Sequence, residues 1–228
     1  MSSGDFKHEL ASQFARVGKA LSHPNRLELL EYLAQGDRSV EALARVSGLS
    51  VANASQHLQQ LRQAGLVTTR KEGQFVYYRV TGDEVVELVE ALHKVGERNL
   101  AEVERLIRTN LATRDEMEPL PATELLGRAR EGEVTVLDVR PQEEYAGGHL
   151  PGAVNVPLSE LEARLEGLPR DQEVVAYCRG PYCVLAYEAV ARLRERGYAA
   201  RRLEYGYPEW KAEGNPVEEG SPEGGGSE

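Results

Sequence analysis

Only two cysteines occur among the 228 residues of this chain. So few cysteines argue against a secreted fold held by disulfides and suit a reducing cytoplasm. No apolar run approaches the roughly 18 residues of a membrane-spanning helix, and the N-terminus lacks a signal-peptide pattern. We therefore expect a cytoplasmic protein with no membrane partner.

The chain also lacks an excess of basic over acidic side chains, and its net charge is −10. By itself this charge argues against nucleic-acid binding. Residues 1–113, however, carry 14 basic and 14 acidic side chains, so the whole acidic excess falls on residues 114–228. Residues 22–81 carry 7 basic and 5 acidic side chains. A mildly basic segment therefore lies inside an acidic protein.

The first half of the chain has the periodicity of helices followed by a hairpin. The predicted helices cover 5–21, 24–35, 39–46, 51–63 and about 83–111. Residues 66–80 have strand character on both sides of a polar Arg70–Gly73 turn, which predicts a β-hairpin with a basic tip. This half is expected to be a mostly helical α+β domain over residues 1–113.

The second half alternates strands with helices. Strands are predicted at 134–139, 154–156, 173–177 and 199–204, and a helix at 184–196. This alternation is typical of an α/β domain with a mainly parallel sheet, here over residues 122–213. Periodicity fails over 114–121, a predicted linker. The Gly-, Ser- and Glu-rich tail at 214–228 is expected to be disordered.

Two predicted helices, 39–46 and 51–63, are joined by a tight turn and have helix-turn-helix spacing. The second would be the recognition helix on double-stranded operator DNA. Its candidate base and phosphate contacts are Asn53, Ser55, Gln56, Gln59 and Arg62. The hairpin adds Arg70, Lys71 and Arg79 as wing contacts to phosphates. The alternative is an ordinary helical domain with a solvated polar face.

Three segments in order, Ser-His-Pro-Asn-Arg-Leu at 22–27, the run 55–67 and Tyr-Tyr-Arg-Val at 77–80, resemble the ArsR family of winged-helix repressors. The resemblance covers about residues 8–100. It implies a winged helix-turn-helix homodimer built through the first and last helices. It also implies repression that a ligand or oxidant relieves.

Metal ligands of that family are missing here. Members that sense thiophilic metals carry cysteines on the helix matching 39–46, which has none. Members that bind zinc use paired His and Asp ligands, whereas His93 stands alone here and Asp83 and Glu97 are poor partners for it. We therefore expect no metal and no cofactor, and a sensor elsewhere in the chain.

Both cysteines lie in a single loop between a predicted strand and a predicted helix. Cys178 follows the apolar strand, and Cys183 opens the helical pattern. A thiol at a helix N-terminus faces backbone N–H groups and the positive end of the helix dipole, which lowers its pKa. Gly180 and Pro181 form a turn, which favours a reactive site. The alternative is two buried core cysteines.

The surrounding motifs resemble rhodanese domains over about residues 120–212. They are Leu-Asp-Val-Arg at 137–140, the run 143–157, the cysteine loop and the later Gly206 and Trp210. The resemblance implies that Cys178 is the nucleophile that forms a persulfide. The active-site loop, Arg179, Gly180, Pro181 and Tyr182, would cradle the sulfur with its N–H groups. Arg179 would supply positive charge for a donor such as thiosulfate.

Loop length separates this chemistry from phosphoryl transfer. Phosphatases on related scaffolds need a Cys-x5-Arg loop, and Val184 stands at that arginine position, so phosphatase activity is not expected. Three residues depart from the usual rhodanese pattern. Pro181 removes one N–H from the cradle, Tyr182 crowds the loop, and Tyr205 stands where the family usually has glycine.

Three further side chains have expected supporting roles. Arg140 should pair with an acidic neighbour such as Glu144, and Asp138 should bond to the backbone. Cys183 is either a small apolar residue or a resolving thiol that attacks a modified Cys178. A disulfide would require Cα atoms within about 7 Å, which the sequence does not decide.

Together these features predict a DNA-binding transcriptional regulator whose rhodanese domain senses or transfers sulfane sulfur, or senses an oxidant, through Cys178. The ArsR resemblance implies that the regulator is a repressor. The donor would be thiosulfate, a polysulfide or a persulfide. The alternative is a sulfurtransferase that uses its winged helix for dimerisation or localisation. A third interpretation is a rhodanese domain that serves only as an interaction module.

Overall fold

A computed structural model describes residues 3–112 and 117–220 of the chain. The chain divides into two compact units, with the division after Val89. No helix among the described residues is both long and apolar enough to span a bilayer.

The first unit is helical with a small antiparallel sheet. Its elements are α1 (Ser3–Leu21), α2 (Pro24–Ala34), β1 (Arg38–Ser39), α3 (Val40–Ser47), α4 (Val51–Gln63), β2 (Val67–Glu72), β3 (Phe75–Val80) and the start of α5 (Asp83–Asn99). The strand order is β1-β3-β2. Leucines from α2, α3 and α4 form the centre of its core, among them Leu29, Leu43 and Leu58, which are completely buried.

Local sequence sets the helix-turn-helix geometry. The Ser39 hydroxyl accepts from the N–H of Ala42 and begins α3, and the Ser50 hydroxyl does the same for Asn53 at the start of α4. Such N-caps satisfy helix donors that have no partner within the helix. Gly48 ends α3 with a φ of 68°, a left-handed conformation that glycine adopts without steric cost. The two helices are thereby held as a tight pair.

The hairpin tip lies later than the sequence predicts. Arg70, Lys71 and Glu72 belong to β2, and the reversal comes at Gly73, whose φ is 60°. Arg70 stands opposite Tyr77 and Glu72 opposite Phe75 in the ladder. The positive φ at Gly73 allows a two-residue connection, so the basic residues extend the strand instead of forming the turn.

The single long helix predicted over 83–111 is also wrong. It is interrupted at Leu100, whose backbone is extended, and continues as α6 (Ala101–Ile107) and a π-helical turn (Arg108–Ala112). The Asn99 side chain donates to the carbonyl of Val95 and so competes with the helical backbone. The second half of α5 and the whole of α6 belong to the second unit.

The second unit contains a four-stranded parallel sheet with helices on both faces. Its remaining elements are α7 (Ala122–Arg130), β4 (Val134–Asp138), α8 (Gln142–Ala146), β5 (Val154–Asn155), α9 (Leu161–Arg164), a 3-10 turn (Leu165–Gly167), β6 (Glu173–Tyr177), α10 (Val184–Glu195), β7 (Ala200–Arg202) and α11 (Tyr207–Ala212). The strand order is β5-β4-β6-β7.

Apolar side chains of the central strands alternate between two cores. Leu137, Val174 and Ala176 face one core, and Val136 and Val175 face the other. A strand buried on both faces reads as a continuous apolar run, as β6 does. The carboxyl ends of β4 and β6 are adjacent, since Asp138 pairs with Tyr177 in the register. The cysteine loop begins there.

Residues flanking the predicted C-terminal domain on both sides make contacts with it. Leu120, assigned to the linker, is completely buried and forms a parallel bridge with Leu203. In the predicted tail, Glu218 forms an antiparallel bridge with His149, and Trp210 donates to the carbonyl of Pro216. These contacts give residues 215–220 a defined structure despite their polar composition. Residues 113–116 of the linker region and 221–228 of the tail lie outside the described residues.

Candidate functional site

The candidate site is the loop between β6 and α10, at the carboxyl edge of the parallel sheet. Ligand sites in open α/β sheets form at this edge. Cys178 follows the last residue of β6, and Cys183 is the N-cap residue of α10. The loop therefore begins at a buried strand and ends against the N–H groups of a 12-residue helix.

The two cysteines are joined as a disulfide with a Cα–Cα separation of 6.2 Å. This separation lies within the range of ordinary disulfides. The sulfur atoms therefore meet across the loop. Cys178 is only 1% exposed, whereas Cys183 is partly buried and packs at the edge of the same core.

Backbone contacts hold both ends of the loop. The Cys178 carbonyl accepts from the Tyr207 N–H at 3.1 Å, and the Cys183 N–H donates to the Gly180 carbonyl at 3.1 Å. A Cβ atom at Gly206 would collide with the Arg179–Gly180 peptide. Glycine at 206 thus lets the start of α11 pack directly against the cysteine loop.

Arg179 forms an ion pair with an acidic side chain. Its guanidinium makes a bidentate contact with the Glu144 carboxylate at 2.8–3.1 Å, and Glu144 is buried. Bidentate Arg–carboxylate pairs are strong and orient the guanidinium. The sequence predicts that Arg179 presents its charge to an anionic donor. In the structure, the carboxylate of Glu144 neutralises that charge.

Asp138 and Arg140 form a completely buried ion pair beside the loop. The Arg140 Nη2 atom lies 2.6 Å from Asp138 Oδ2 and also donates to the Gly148 carbonyl at 2.7 Å. The Arg140 N–H donates to Asp138 Oδ1 at 2.9 Å. Burial opposes the charge of Arg140, yet its bond to Asp138 leaves its pKa above the ordinary value.

The expected pairing of Arg140 with an acidic neighbour is present, with Asp138 as the partner. Arg140 has its ion pair with Asp138, and the Glu144 carboxylate grips Arg179. The chain after β4 brings the side chain of Arg140 back onto Asp138, two residues earlier. Glu144 still adds a favourable charge near Arg140.

Tyr182 connects the loop to the second half of α5. Its hydroxyl donates to Glu97 Oε1 at 2.7 Å, and its ring meets His93 edge-on with a centroid distance of 5.2 Å. Burial and the Glu97 bond raise the pKa of Tyr182. Burial lowers the pKa of His93, against the opposing charges of Glu97 and Glu90. All these residues lie in the second unit.

Sequence reasoning did not find these α5 contacts. Tyr182 and Tyr205, the two tyrosines that depart from the rhodanese pattern, could have indicated these contacts. Tyr182 bonds to Glu97, and the charge of Lys94 acts on Tyr205, whose pKa is raised chiefly by burial. A bulky polar residue in place of a small one indicates a neighbour that an isolated domain would lack.

The candidate DNA contacts lie on the outer surface of the first unit. On α4 the side chains of Asn53, Gln56, Gln59 and Arg62 are exposed and Ser55 is half-buried, while Ala54, Leu58 and Leu61 face the core. On the hairpin, Lys71 and Arg79 are exposed. Arg70 is exposed but paired with Glu72 at 2.8 Å and Asp37 at 3.3 Å.

A cluster of polar side chains centred on Arg26 contacts α4 on its inner side. Arg26 is buried and donates to Gln60 of α4 and to the carbonyls of Lys19 and Ala20 at the end of α1. His23 and His57 lie beside it with ring centroids 4.5 Å apart. The Ser-His-Pro-Asn-Arg-Leu motif at 22–27 thus positions α4. Among the described residues, no three His, Cys, Asp or Glu side chains cluster as metal ligands.

Comparison with known proteins assigns both units. A model described as "Helix-turn-helix domain" matches residues 21–70, and one described as "Rhodanese-like domain" matches residues 121–213. The class is therefore a winged helix-turn-helix protein with a C-terminal rhodanese domain, which confirms the predicted fold. The mycobacterial "HTH-type transcriptional regulator Rv0324" of Mycobacterium tuberculosis is 46% identical over 97% of both chains. This chain belongs to that family of DNA-binding transcriptional regulators.

Two solved structures resemble the separate units. The homodimeric winged helix-turn-helix DNA-binding domain of Mb0332 from Mycobacterium bovis, a possible ArsR-family regulator, is 43% identical, covers 44% of this chain and 93% of that chain, and has a TM-score of 0.41. A rhodanese-related protein from Thermoplasma volcanium is 29% identical, covers 45% of this chain and 98% of that chain, and also has a TM-score of 0.41.

Proposed function

We propose that this regulator is a homodimeric repressor of the ArsR type that senses sulfane sulfur or an oxidant through Cys178. The observation that carries the proposal is the position of the protein's two thiols. Both lie in the rhodanese loop, where their sulfurs meet, and the first unit contains no cysteine. Modification of Cys178 is therefore the covalent event to which the DNA-binding unit would respond.

The route of that response begins at Tyr182. This residue precedes Cys183 and bonds to Glu97 on α5. Helix α5 is continuous from Asp83 in the first unit to Asn99 in the second. A change in loop conformation on disulfide formation would shift Tyr182 and so act on a helix that begins in the DNA-binding unit. Such a change alters DNA affinity only if it favours one of two states of that unit.

Exposed apolar side chains support the homodimer. Phe6, Leu10 and Phe14 follow one another at four-residue spacing on α1 and are 57%, 41% and 67% exposed. An apolar stripe of this kind on a helix is typical of a protein–protein contact. A second copy would cover it, and two recognition helices would then face two half-sites of operator DNA.

The test uses the reduced full-length protein and a DNA duplex that it selects from a random-sequence library. Binding is measured at fixed salt before and after treatment with a polysulfide, because phosphate contacts make affinity strongly salt-dependent. We expect treatment to weaken binding by wild type and to leave Cys178→Ser unchanged. An equal response of both proteins would overturn the sensing role of Cys178.

Turnover as a sulfurtransferase is the second candidate. The six-residue loop from Cys178 to Cys183, placed between β6 and the N-terminus of α10, favours it. In this function the winged helix would serve dimerisation or localisation. Steady sulfur transfer from thiosulfate to cyanide that Cys178→Ser abolishes, together with failure to select any DNA sequence, would support it.

A further inference from the structure

We infer that the cysteine loop reduces sulfane sulfur to sulfide, with a hydropersulfide as substrate and a small thiol as reductant. The inference rests on the proposed role of Cys178 as the sulfur acceptor. It goes further because sulfur leaves the protein as sulfide instead of passing to an acceptor. The juxtaposition that carries it is a buried Cys178 bonded to a partly exposed Cys183 at a helix N-terminus.

In the first step the Cys178 thiolate attacks the terminal sulfur of a hydropersulfide, RSSH. The S–S bond of the donor breaks, RS⁻ leaves, and Cys178 becomes the persulfide Cys178–S–SH. Loop and helix N–H groups stabilise the negative charge on the acceptor thiolate. No metal or external oxidant is needed, since the donor supplies an oxidised sulfur atom.

In the second step the Cys183 thiolate attacks the Sγ atom of Cys178. A new S–S bond joins the two residues, the bond to the outer sulfur breaks, and HS⁻ leaves. The two thiolates lose two electrons, and the sulfane sulfur gains them. The Cα–Cα separation of 6.2 Å in the joined state shows that the backbone accommodates the product.

Two features favour this attack over transfer to an external acceptor. Cys183 is the N-cap of a 12-residue helix, where the helix dipole stabilises negative charge on the attacking sulfur. The loop is also held at both ends, through Tyr207 N–H and Gly180 O, so an intramolecular attack carries little additional entropy cost. Sulfur that reaches Cys178 is therefore displaced by the neighbouring thiol.

Reopening of the loop completes a cycle. Cys183 is the more exposed residue of the disulfide, so an incoming thiolate attacks there and releases the Cys178 thiolate. A second thiolate then attacks the mixed disulfide, which yields the symmetrical disulfide of the small thiol and frees Cys183. The overall activity is thiol-dependent reduction of a hydropersulfide.

The experiment follows sulfide release from reduced full-length protein treated with glutathione hydropersulfide. Without added reductant, wild type should release about one equivalent of sulfide per chain and lose two hydrogen atoms by intact mass. Cys183→Ser should instead gain one sulfur atom and release at least roughly tenfold less sulfide. Cys178→Ser should do neither. With glutathione added, wild type should release sulfide continuously.

Val184→Ala is the matched control, because Val184 is exposed, carries no thiol and follows Cys183 directly. It should behave as wild type. Near-ultraviolet circular dichroism of each reduced variant verifies that the fold is kept. Wild-type protein that retains the added sulfur and forms no disulfide would overturn the inference.

Failure of this inference and failure of the proposed function are distinguishable. Sulfide release with unchanged DNA affinity supports the reductase and contradicts sensing. Persulfide retained on wild-type Cys178 with weakened DNA binding contradicts the reductase and supports sensing. The double variant Cys178→Ser/Cys183→Ser, which has no thiol, sets the background of both measurements.

Discussion

The Tyr182 hydroxyl donates a 2.7 Å hydrogen bond to the Glu97 carboxylate, which joins the cysteine loop to helix α5. The two residues are 85 positions apart in sequence. Tyr182 also separates Pro181 from Cys183, so any movement of Cys183 acts directly on this bond. Tyr182, which the sequence alone predicts only to crowd the cysteine loop, thus has Glu97 as a hydrogen-bond partner.

Tyr182→Phe should reduce the effect of Cys178 modification on DNA affinity. The substitution removes the hydroxyl and keeps the ring against His93, so the cost in unfolding free energy should be about 1 kcal/mol or less. The ratio of DNA affinities of the reduced and disulfide proteins should move towards unity.

Glu97→Ala tests the same bond from the other side, because alanine offers no acceptor to the Tyr182 hydroxyl. If the bond transmits the response, the double variant should respond like either single variant, because the residues act as one unit. Additive effects of the two substitutions would contradict direct coupling through this bond.

Glu144→Gln should favour anionic sulfur donors. The substitution removes the carboxylate that neutralises Arg179, which leaves a positive charge beside the loop. The rate of sulfur uptake from thiosulfate, relative to that from an uncharged organic trisulfide, should rise roughly tenfold at low salt. Intact mass with time measures both rates.

Two controls accompany this measurement. The gain with thiosulfate should shrink as salt is added, because it comes from an unscreened charge. Equal acceleration with both donors would instead indicate a general loosening of the loop and contradict the electrostatic explanation.

Sequence patterns predicted the elements well where local signals were strong. Ser39, Gly48 and Ser50 delimit α3 and α4, and the apolar run of β6 marks a central parallel strand. The prediction was wrong where long-range contacts override local character. Residues 215–220 look disordered by composition, but His149 and Trp210 give them partners 6 to 69 residues away.

The candidate site shows the same division. The cysteine loop could be found from its motif, whereas the partners of Arg179 and Tyr182 could not. Glu144 lies 35 positions before Arg179 and Glu97 lies 85 before Tyr182. Such pairings depend on the register of β4 against β6 and on where α5 runs, which spacing along the chain does not contain.

Arg140→Met should destabilise the rhodanese unit by about 3–5 kcal/mol, because it leaves Asp138 as an uncompensated buried charge. Urea unfolding followed by Trp210 fluorescence measures this, since that tryptophan is completely buried in the same unit. The matched control is Arg164→Met, whose exposed pair with Glu160 at 3.9 Å should contribute no more than about 1 kcal/mol. Similar effects of the two substitutions would contradict the structural role of Arg140.

The stability of the first unit should fall on acidification because of His57 on α4. Burial lowers the pKa of His57, and the positive charges of His23 and Arg26 lower it further. The folded state therefore binds a proton less readily than the unfolded state, whose histidine pKa is about 6.5. The contribution of His57 to stability is present above that value and is lost as the pH falls through the lower pKa of the folded state.

Thermal unfolding between about pH 7.5 and pH 5.5 should show a smaller drop in Tm for His57→Gln than for wild type. His8→Gln, an exposed substitution on α1, should retain the wild-type drop. An undiminished drop in His57→Gln would assign the acid sensitivity to another group.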